Sequence, residues 1–173
     1  MTAAETIGEL FAGAGARDHM GEPVPIGEHM LQAGALAEAA GADGALIGAA
    51  LLHDIGHLLG DSTEDRHGES GARWLSQWFG DAVTEPVRLH VPAKRYLCGA
   101  EAGYLGLLSA ESVRTLSLQG GPMTAAEVTA FEALPFSRDA VAVRRWDDQA
   151  KDPAVTPPPF AHFAPLLEGL VRS

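Results

Sequence analysis

The chain is short of cysteine, of positive charge, of aromatic side chains and of β-branched runs. Its single cysteine, Cys98, excludes an internal disulfide and suits a reducing compartment. Nothing around it marks an activated thiol, so a buried structural role is expected. Lysine and arginine number 12 against 23 acidic residues, a formal net charge of -11, and no basic cluster exceeds the pair Arg144 and Arg145. Nucleic-acid binding needs a basic face, so DNA and RNA are not expected as partners. Of the two lysines, Lys94 and Lys151, only Lys94 invites a functional reading from its surroundings. No apolar run is long enough to span a membrane, and the N-terminus lacks a basic region followed by an apolar core. A soluble, cytoplasmic protein without membrane contact is the expectation.

What is present is alanine, leucine and helical spacing. At 173 residues and 46% hydrophobic content the chain can bury one core, so 1–173 reads as a single domain. The dominance of Ala and Leu, with breakers between periodic stretches, favours an all-α fold. Helices are expected over 3–15, 25–40, 43–60, 67–79, 110–119, 124–134 and 138–150. Another is expected around 81–90, starting near Pro86 and ending at His90, and a short one over 100–108. The segment 17–25 reads as a loop, 61–66 as a polar loop, and 151–159 as a proline-rich extension before a closing amphipathic helix.

Residues 43–60 organise the rest. Asp43 is a good N-cap, and the following residues are apolar on nearly every side, as in a fully buried helix. Inside that run stand His53, Asp54 and His57. As one continuous helix it would place His53 and His57 on one face and Asp54 about 100° further round. Such groups are costly in a core unless paired or bound to a metal. His29 follows the 4-3-4 spacing of Ala33, Leu36 and Ala40 and so points toward the core from the preceding helix, the other arm of a hairpin. His67, at a helix N-terminus, suits a neutral, ligating imidazole. If the helical path resumes through Pro92, His90 and Lys94 share a side. Ser112 and Thr115, three apart, can donate together to an anion. The acids Asp147 and Asp148 point in different directions, so only one reaches a given site. Imidazole with carboxylate suits iron, manganese or zinc, and a carboxylate such as Asp54 can bridge two ions.

The pattern His29, His53-Asp54 and Asp147 resembles the H…HD…D signature of the HD-domain superfamily. Within it the chain is similar to the small mixed-valent diiron oxygenases that cleave 1-hydroxyphosphonates. The likeness rests on residues 21–24, 28–32, 52–57, 90–98, 118–122 and 145–151 and spans almost the whole chain. The segments 90–98 and 145–151 are its most specific parts. The resemblance implies a helical HD bundle in which 17–25 is a gating loop. It implies two iron ions, Fe(II) and Fe(III), with O2 as co-substrate. His29, His53, Asp54 and Asp147 would hold the first ion, and Asp54 would bridge to a second held by His67 and His90. Lys94, Ser112, Thr115 and His57 would bind the phosphonate oxygens, with Glu22 and His19 on the gating loop. The substrate would be a small phosphonate, cleaved at its C–P bond to a carboxylic acid and inorganic phosphate, by a monomer or homodimer.

One position departs from the family, which carries Tyr three residues before the loop Glu where this chain has His19. The expectation is that His19 ligates the second iron at rest and swings away with Glu22 when substrate binds. Glu22 would be the natural partner of a substrate ammonium. The rival reading is an HD phosphohydrolase acting on a small phosphoester or nucleotide. A third is a non-catalytic sensor that keeps the metal fold.

Overall fold

The computed structural model describes residues 1–60 and 66–172, so all of the loop expected over 61–66 except Arg66 lies outside the described residues. Among the described residues the chain is all-α, with nine helices, three short 3-10 turns and no strand. The helices are α1 (Ala3–Ala12), α2 (Ile26–Ala39), α3 (Gly44–Leu52), α4 (His67–Leu75) and α5 (Asp81–Ala100). They continue with α6 (Ala110–Leu118), α7 (Ala125–Glu132), α8 (Ser137–Gln149) and α9 (Phe160–Leu170). None is long and apolar enough to cross a membrane.

The starts are set locally. Thr2 and Thr124 open α1 and α7 with complete capping boxes, and the Asp43 carboxylate accepts the Leu46 amide at 2.9 Å to start α3. Gly41, in the left-handed region at φ +73°, turns the chain from α2 into α3. The two arms pack as the expected hairpin, and α5 lies through the middle, against α3, α4, α7 and α8. Fully buried Met30, Leu51, Ile55, Leu75, Phe79 and Phe163 join the layers. Removing a leucine-sized side chain from such a core costs about 2–5 kcal/mol.

Three sequence expectations are corrected. The run 43–60 is not one helix: α3 ends at Leu52, His53 and Asp54 form a turn, and a 3-10 turn follows over Ile55–Leu59. The break turns His53 and Asp54 to the same side, Nε2 to Oδ2 3.4 Å, which an unbroken helix would not do. The region 81–100 is one helix of 20 residues containing both Pro86 and Pro92. Each proline costs about 3 kcal/mol in a helix interior. Burial of Val83, Val87, Leu89, Ala93 and Leu97 on several sides of α5 outweighs that. The stretch 100–108 holds a 3-10 turn over Tyr104–Leu107 in place of an α-helix. Smaller differences are that α1 stops at Ala12, α4 stops at Leu75, and Ala40 is exposed past the end of α2.

Gly56 explains how the 3-10 turn meets α4. A Cβ there would lie 2.0 Å from the carbonyl oxygen of His67, so only glycine lets the two segments approach this closely. The contact fixes where His67 begins its helix.

Candidate metal centre

Six side chains from five places in the chain converge. His29 comes from α2, His53 and Asp54 from the turn after α3, His67 from the first residue of α4, His90 from the middle of α5 and Asp147 from the last turn of α8. All are buried except Asp54, whose side chain is 16% exposed at the floor of a cavity. They sort into two groups with metal-ligand geometry, His29, His53 and Asp147, and Asp54, His67 and His90. The Asp54 carboxylate reaches both. Its Oδ2 lies 3.5 Å from His29 Nε2 and 3.4 Å from His53 Nε2. Its Oδ1 lies 3.2 Å from His67 Nε2 and 3.3 Å from His90 Nε2.

The imidazoles are oriented from behind. Nδ1 of His29 donates to the Ala150 carbonyl at 2.8 Å, Nδ1 of His53 to the Ala50 carbonyl at 2.8 Å and Nδ1 of His90 to the Val87 carbonyl at 2.7 Å. That fixes the tautomer and leaves Nε2 as the lone-pair nitrogen of a neutral ring. Yet Nε2 of His29 faces Nε2 of His53 at 3.1 Å, and Nε2 of His67 faces Nε2 of His90 at 3.0 Å. At the His29–His53 pair, where both Nδ1 atoms already donate, two lone pairs so placed call for a positive charge between them. Burial opposes charge on His29, but the neighbouring Asp147 and Asp54 carboxylates push its pKa up to about 10, a proton taking the place of a cation. Burial lowers the pKa of His90 to about 4 despite Asp54. Burial would raise Asp54, but the imidazoles of His53 and His29 hold it well below the usual carboxylate range. The donor set fits metal ions.

Asp147 is selected over Asp148 by geometry. Its Oδ1 lies 3.3 Å from His29 Nε2, while Asp148 turns away to Arg144 and the Tyr104 hydroxyl. His57 does not share a face with His53. It stacks on His67 with ring centroids 4.0 Å apart, and burial with the neighbouring His67 pushes its pKa down to about 4.

A cavity of about 70 Å³ adjoins the two groups, and the loop residues His19 and Glu22 also line it. That is small beside the roughly 300–1,000 Å³ of drug-sized sites. Lys94, buried in α5, donates through Nζ to Thr115 Oγ1 at 2.9 Å and to the Ser112 carbonyl at 3.3 Å. Burial, helped by the Arg144 charge, lowers its pKa to about 8. The expected set of Lys94, Ser112, Thr115, His57, Glu22 and His19 all line this cavity. His19 belongs to neither ligand group. It is exposed, its Nδ1 3.3 Å from the Glu22 carbonyl oxygen.

Two cations were missed from the sequence. Lys151 is not a tail residue, since its Nζ pairs with Glu22 Oε1 at 2.8 Å inside the cavity wall. Arg144 is buried among Asp147, Asp148 and Tyr104 and also lines the cavity. Its position three and four residues before the two acids was a readable signal. Cys98 is half-buried and burial pushes its thiol pKa up, against a nucleophilic role.

Comparison with known proteins agrees with this geometry. The HD domain model matches residues 26–128, which hold every candidate metal ligand except Asp147. The chain is 44% identical over 175 residues to the [1-hydroxy-2-(trimethylamino)ethyl]phosphonate dioxygenase (glycine-betaine-forming) of Leisingera caerulea, covering 96% of this chain and 89% of that one. It is 48% identical over 154 residues to the hydroxymethylphosphonate dioxygenase of Gimesia maris, covering 84% of this chain and 77% of the other. An uncharacterized protein of Acanthamoeba polyphaga mimivirus, L432, is 33% identical over 94% of this chain and 78% of its own length. The chain belongs to the HD-domain family and is a relative of these phosphonate dioxygenases.

Proposed function

We propose that the protein is a diiron oxygenase that uses O2 to cleave the C–P bond of a 1-hydroxyphosphonate. The observation that carries this reading is one carboxylate, Asp54, within reach of two candidate ligand groups, with a buried lysine in the wall of the same cavity. The products are a carboxylic acid and inorganic phosphate. The balance closes without an external reductant: hydroxymethylphosphonic acid and O2 contain the atoms of formic and phosphoric acids, and C1 supplies the four electrons O2 takes up.

In this reading His29, His53, Asp54 and Asp147 hold one iron ion, and Asp54, His67 and His90 hold the other. The mixed-valent pair, Fe(II) and Fe(III), would supply substrate chelation and oxygen activation. The protein's own part is placement. Lys94 presents an ammonium to the phosphonate, and the hydroxyls of Ser112 and Thr115 and the ring of His57 stand close enough to accompany it. A charged group held in a buried wall interacts with an anion more strongly than one in water. The cavity's small volume would leave little room for water beside a bound substrate and would hold C1 next to the residues proposed to carry the ions.

The test is anaerobic loading with iron, then oxygen consumption and phosphate release with 1-hydroxyphosphonates, with nucleotides and phosphoesters in parallel. Equimolar oxygen uptake and phosphate release from the phosphonate support the reading. Phosphate release from a phosphoester without oxygen uptake identifies a hydrolase and ends it.

A further inference from the structure

The candidate ligand imidazoles are oriented from behind in two different ways. His53 and His90 donate to the Ala50 and Val87 carbonyls, each three residues back along the same stretch of chain. Those acceptors travel with the segment that carries the ligand. His29 donates instead to the Ala150 carbonyl, 121 residues away and just past the last turn of α8. Ala150 is fully buried, and beyond it the chain leaves helical geometry and runs as a strap over 151–159. The orientation of the His29 ring therefore depends on what holds the start of that strap.

Gln32 holds it. The residue stands three after His29 on α2, on the same side of the helix, and is buried. Its Oε1 accepts the Asp152 amide at 3.2 Å. Its Nε2 donates to the Asp152 carbonyl at 2.8 Å and to the Val155 carbonyl at 3.1 Å. One side-chain amide thus satisfies both backbone groups of Asp152 and a third group beyond, using its donor and acceptor ends together. Asp152 is two residues from Ala150, so fixing it limits how far the Ala150 carbonyl can swing. A buried amide is a costly choice for packing alone, since each function needs a partner out of reach of water.

We propose that Gln32 is a positioning residue for the ion of the His29–Asp147 group, acting through the strap backbone to keep the Ala150 carbonyl against His29 Nδ1. Helix α2 then supplies both a ligand and the clamp that orients it. An Nδ1–H fixed in this way keeps Nε2 aimed at the cation, and loss of such an outer partner lowers metal affinity about 10–100-fold. This inference rests on the metal-centre part of the reading above and not on its substrate. Its carrying observation is that His29 takes its acceptor from a distant segment which Gln32, on the same helix, grips by three hydrogen bonds.

The experiment uses Gln32→Met, which keeps the length of the side chain and removes all three bonds. Ile7→Ala, in the core on α1, is the control: it destabilises the fold from a helix that carries no candidate ligand. Anaerobic Fe(II) titration against a competing chelator gives the affinity of each ion. Gln32→Met is expected to bind one of the two ions about tenfold or more weakly than the native protein, and Ile7→Ala to bind both as the native protein does. In the zinc-loaded protein, hydrogen exchange at the His29 ring Nδ1 is expected to quicken about tenfold or more in Gln32→Met. The ring protons of His53 and His90, whose acceptors lie on their own stretches of chain, are expected to keep their native rates. A loss of affinity no larger than in Ile7→Ala overturns the proposal. So does an unchanged His29 proton, or an equal quickening at all three rings. Should Gln32→Met fail to fold, the native protein decides: one opening would release both the His29 ring proton and the Asp152 amide, so unequal protection of the two overturns the proposal. If the native protein binds no ion at either group, the metal-centre reading itself fails and takes this inference with it.

Discussion

Arg144 and Asp147 divide one carboxylate between two tasks. Nη1 of Arg144 donates to Oδ2 at 2.6 Å, which leaves Oδ1 facing His29 Nε2 at 3.3 Å. Burial works against the guanidinium charge, but Asp147 and Asp148 hold it on and raise its pKa further. Arg144 therefore positions a candidate metal ligand. Arg144→Met should lower affinity for the ion at the His29–Asp147 group about 10–100-fold. It should also cost about 3–5 kcal/mol of stability by leaving buried acids unpaired. Metal content after gel filtration, falling from two ions toward one, reads the first effect and denaturant unfolding the second.

Removing metal should weaken the fold as well as the activity. The ligands join segments from α2 to α8, and ions bound only by the folded chain stabilise it by about 3–4 kcal/mol at 100–1,000 times their Kd. For a chain of this size that is a loss of roughly 6–16 °C in Tm on chelation, restored by added iron. A Tm indifferent to chelator would show that protons alone satisfy the cluster.

Lys94 sets a pH dependence. Burial holds its pKa at about 8 against the ordinary 10.5, so the native state releases this proton before the unfolded chain does. The unfolded chain binds more protons between those two values, so stability rises with pH across that window, and the full penalty stands below pH 8. Phosphonate affinity runs the opposite way, because the ammonium is the binding form. The apparent KM should rise about tenfold per pH unit above pH 8. Lys94→Arg should remove this rise, and Lys94→Met should raise KM at every pH.

Gly56→Ala should unseat His67. The added methyl would collide with the His67 carbonyl oxygen at 2.0 Å, and backbone on both sides leaves no flexible atom to yield. The cost is expected at about 1–3 kcal/mol or more. Iron binding at the Asp54–His67–His90 group should weaken, measured as sensitivity to chelator.

His19→Ala tests the loop. If His19 ligates iron in the resting protein, the variant's resting iron spectrum changes while its substrate-bound spectrum does not. An unchanged resting spectrum would leave His19 as a hydrogen-bonding residue of the loop, as its contact with the Glu22 carbonyl places it.

Much of the fold was legible because its signals are local. The capping boxes, Gly41 after α2 and the helical spacing in α1 and α9 all follow from neighbours within a few residues. His29 was legible as a buried position, and its meaning came from the His53-Asp54 pair. The turn at His53 was not, because apolar residues resume after Asp54 at helix-like spacing up to Leu59, and packing against α4 distinguishes a 3-10 turn from a helix. Pro86 argued for a start and Pro92 for an end inside what is one helix, α5, where burial on several sides prevails. Lys151 was unreadable for a different reason: its partner Glu22 lies at the opposite end of the chain, and nothing in the local sequence joins them.

The carbonyls behind His29 and His53 have an electrical consequence. Ala150 follows the last turn of α8, and Ala50 lies in the last turn of α3, where each helix presents the negative pole of its aligned peptides. Each imidazole transmits that pole through its ring, making Nε2 a better electron donor toward a bound cation. Two helix ends thus raise the electron density at one cluster without placing another formal charge there, and shortening either helix by a turn would weaken its hold on a cation while leaving every ligand in the sequence.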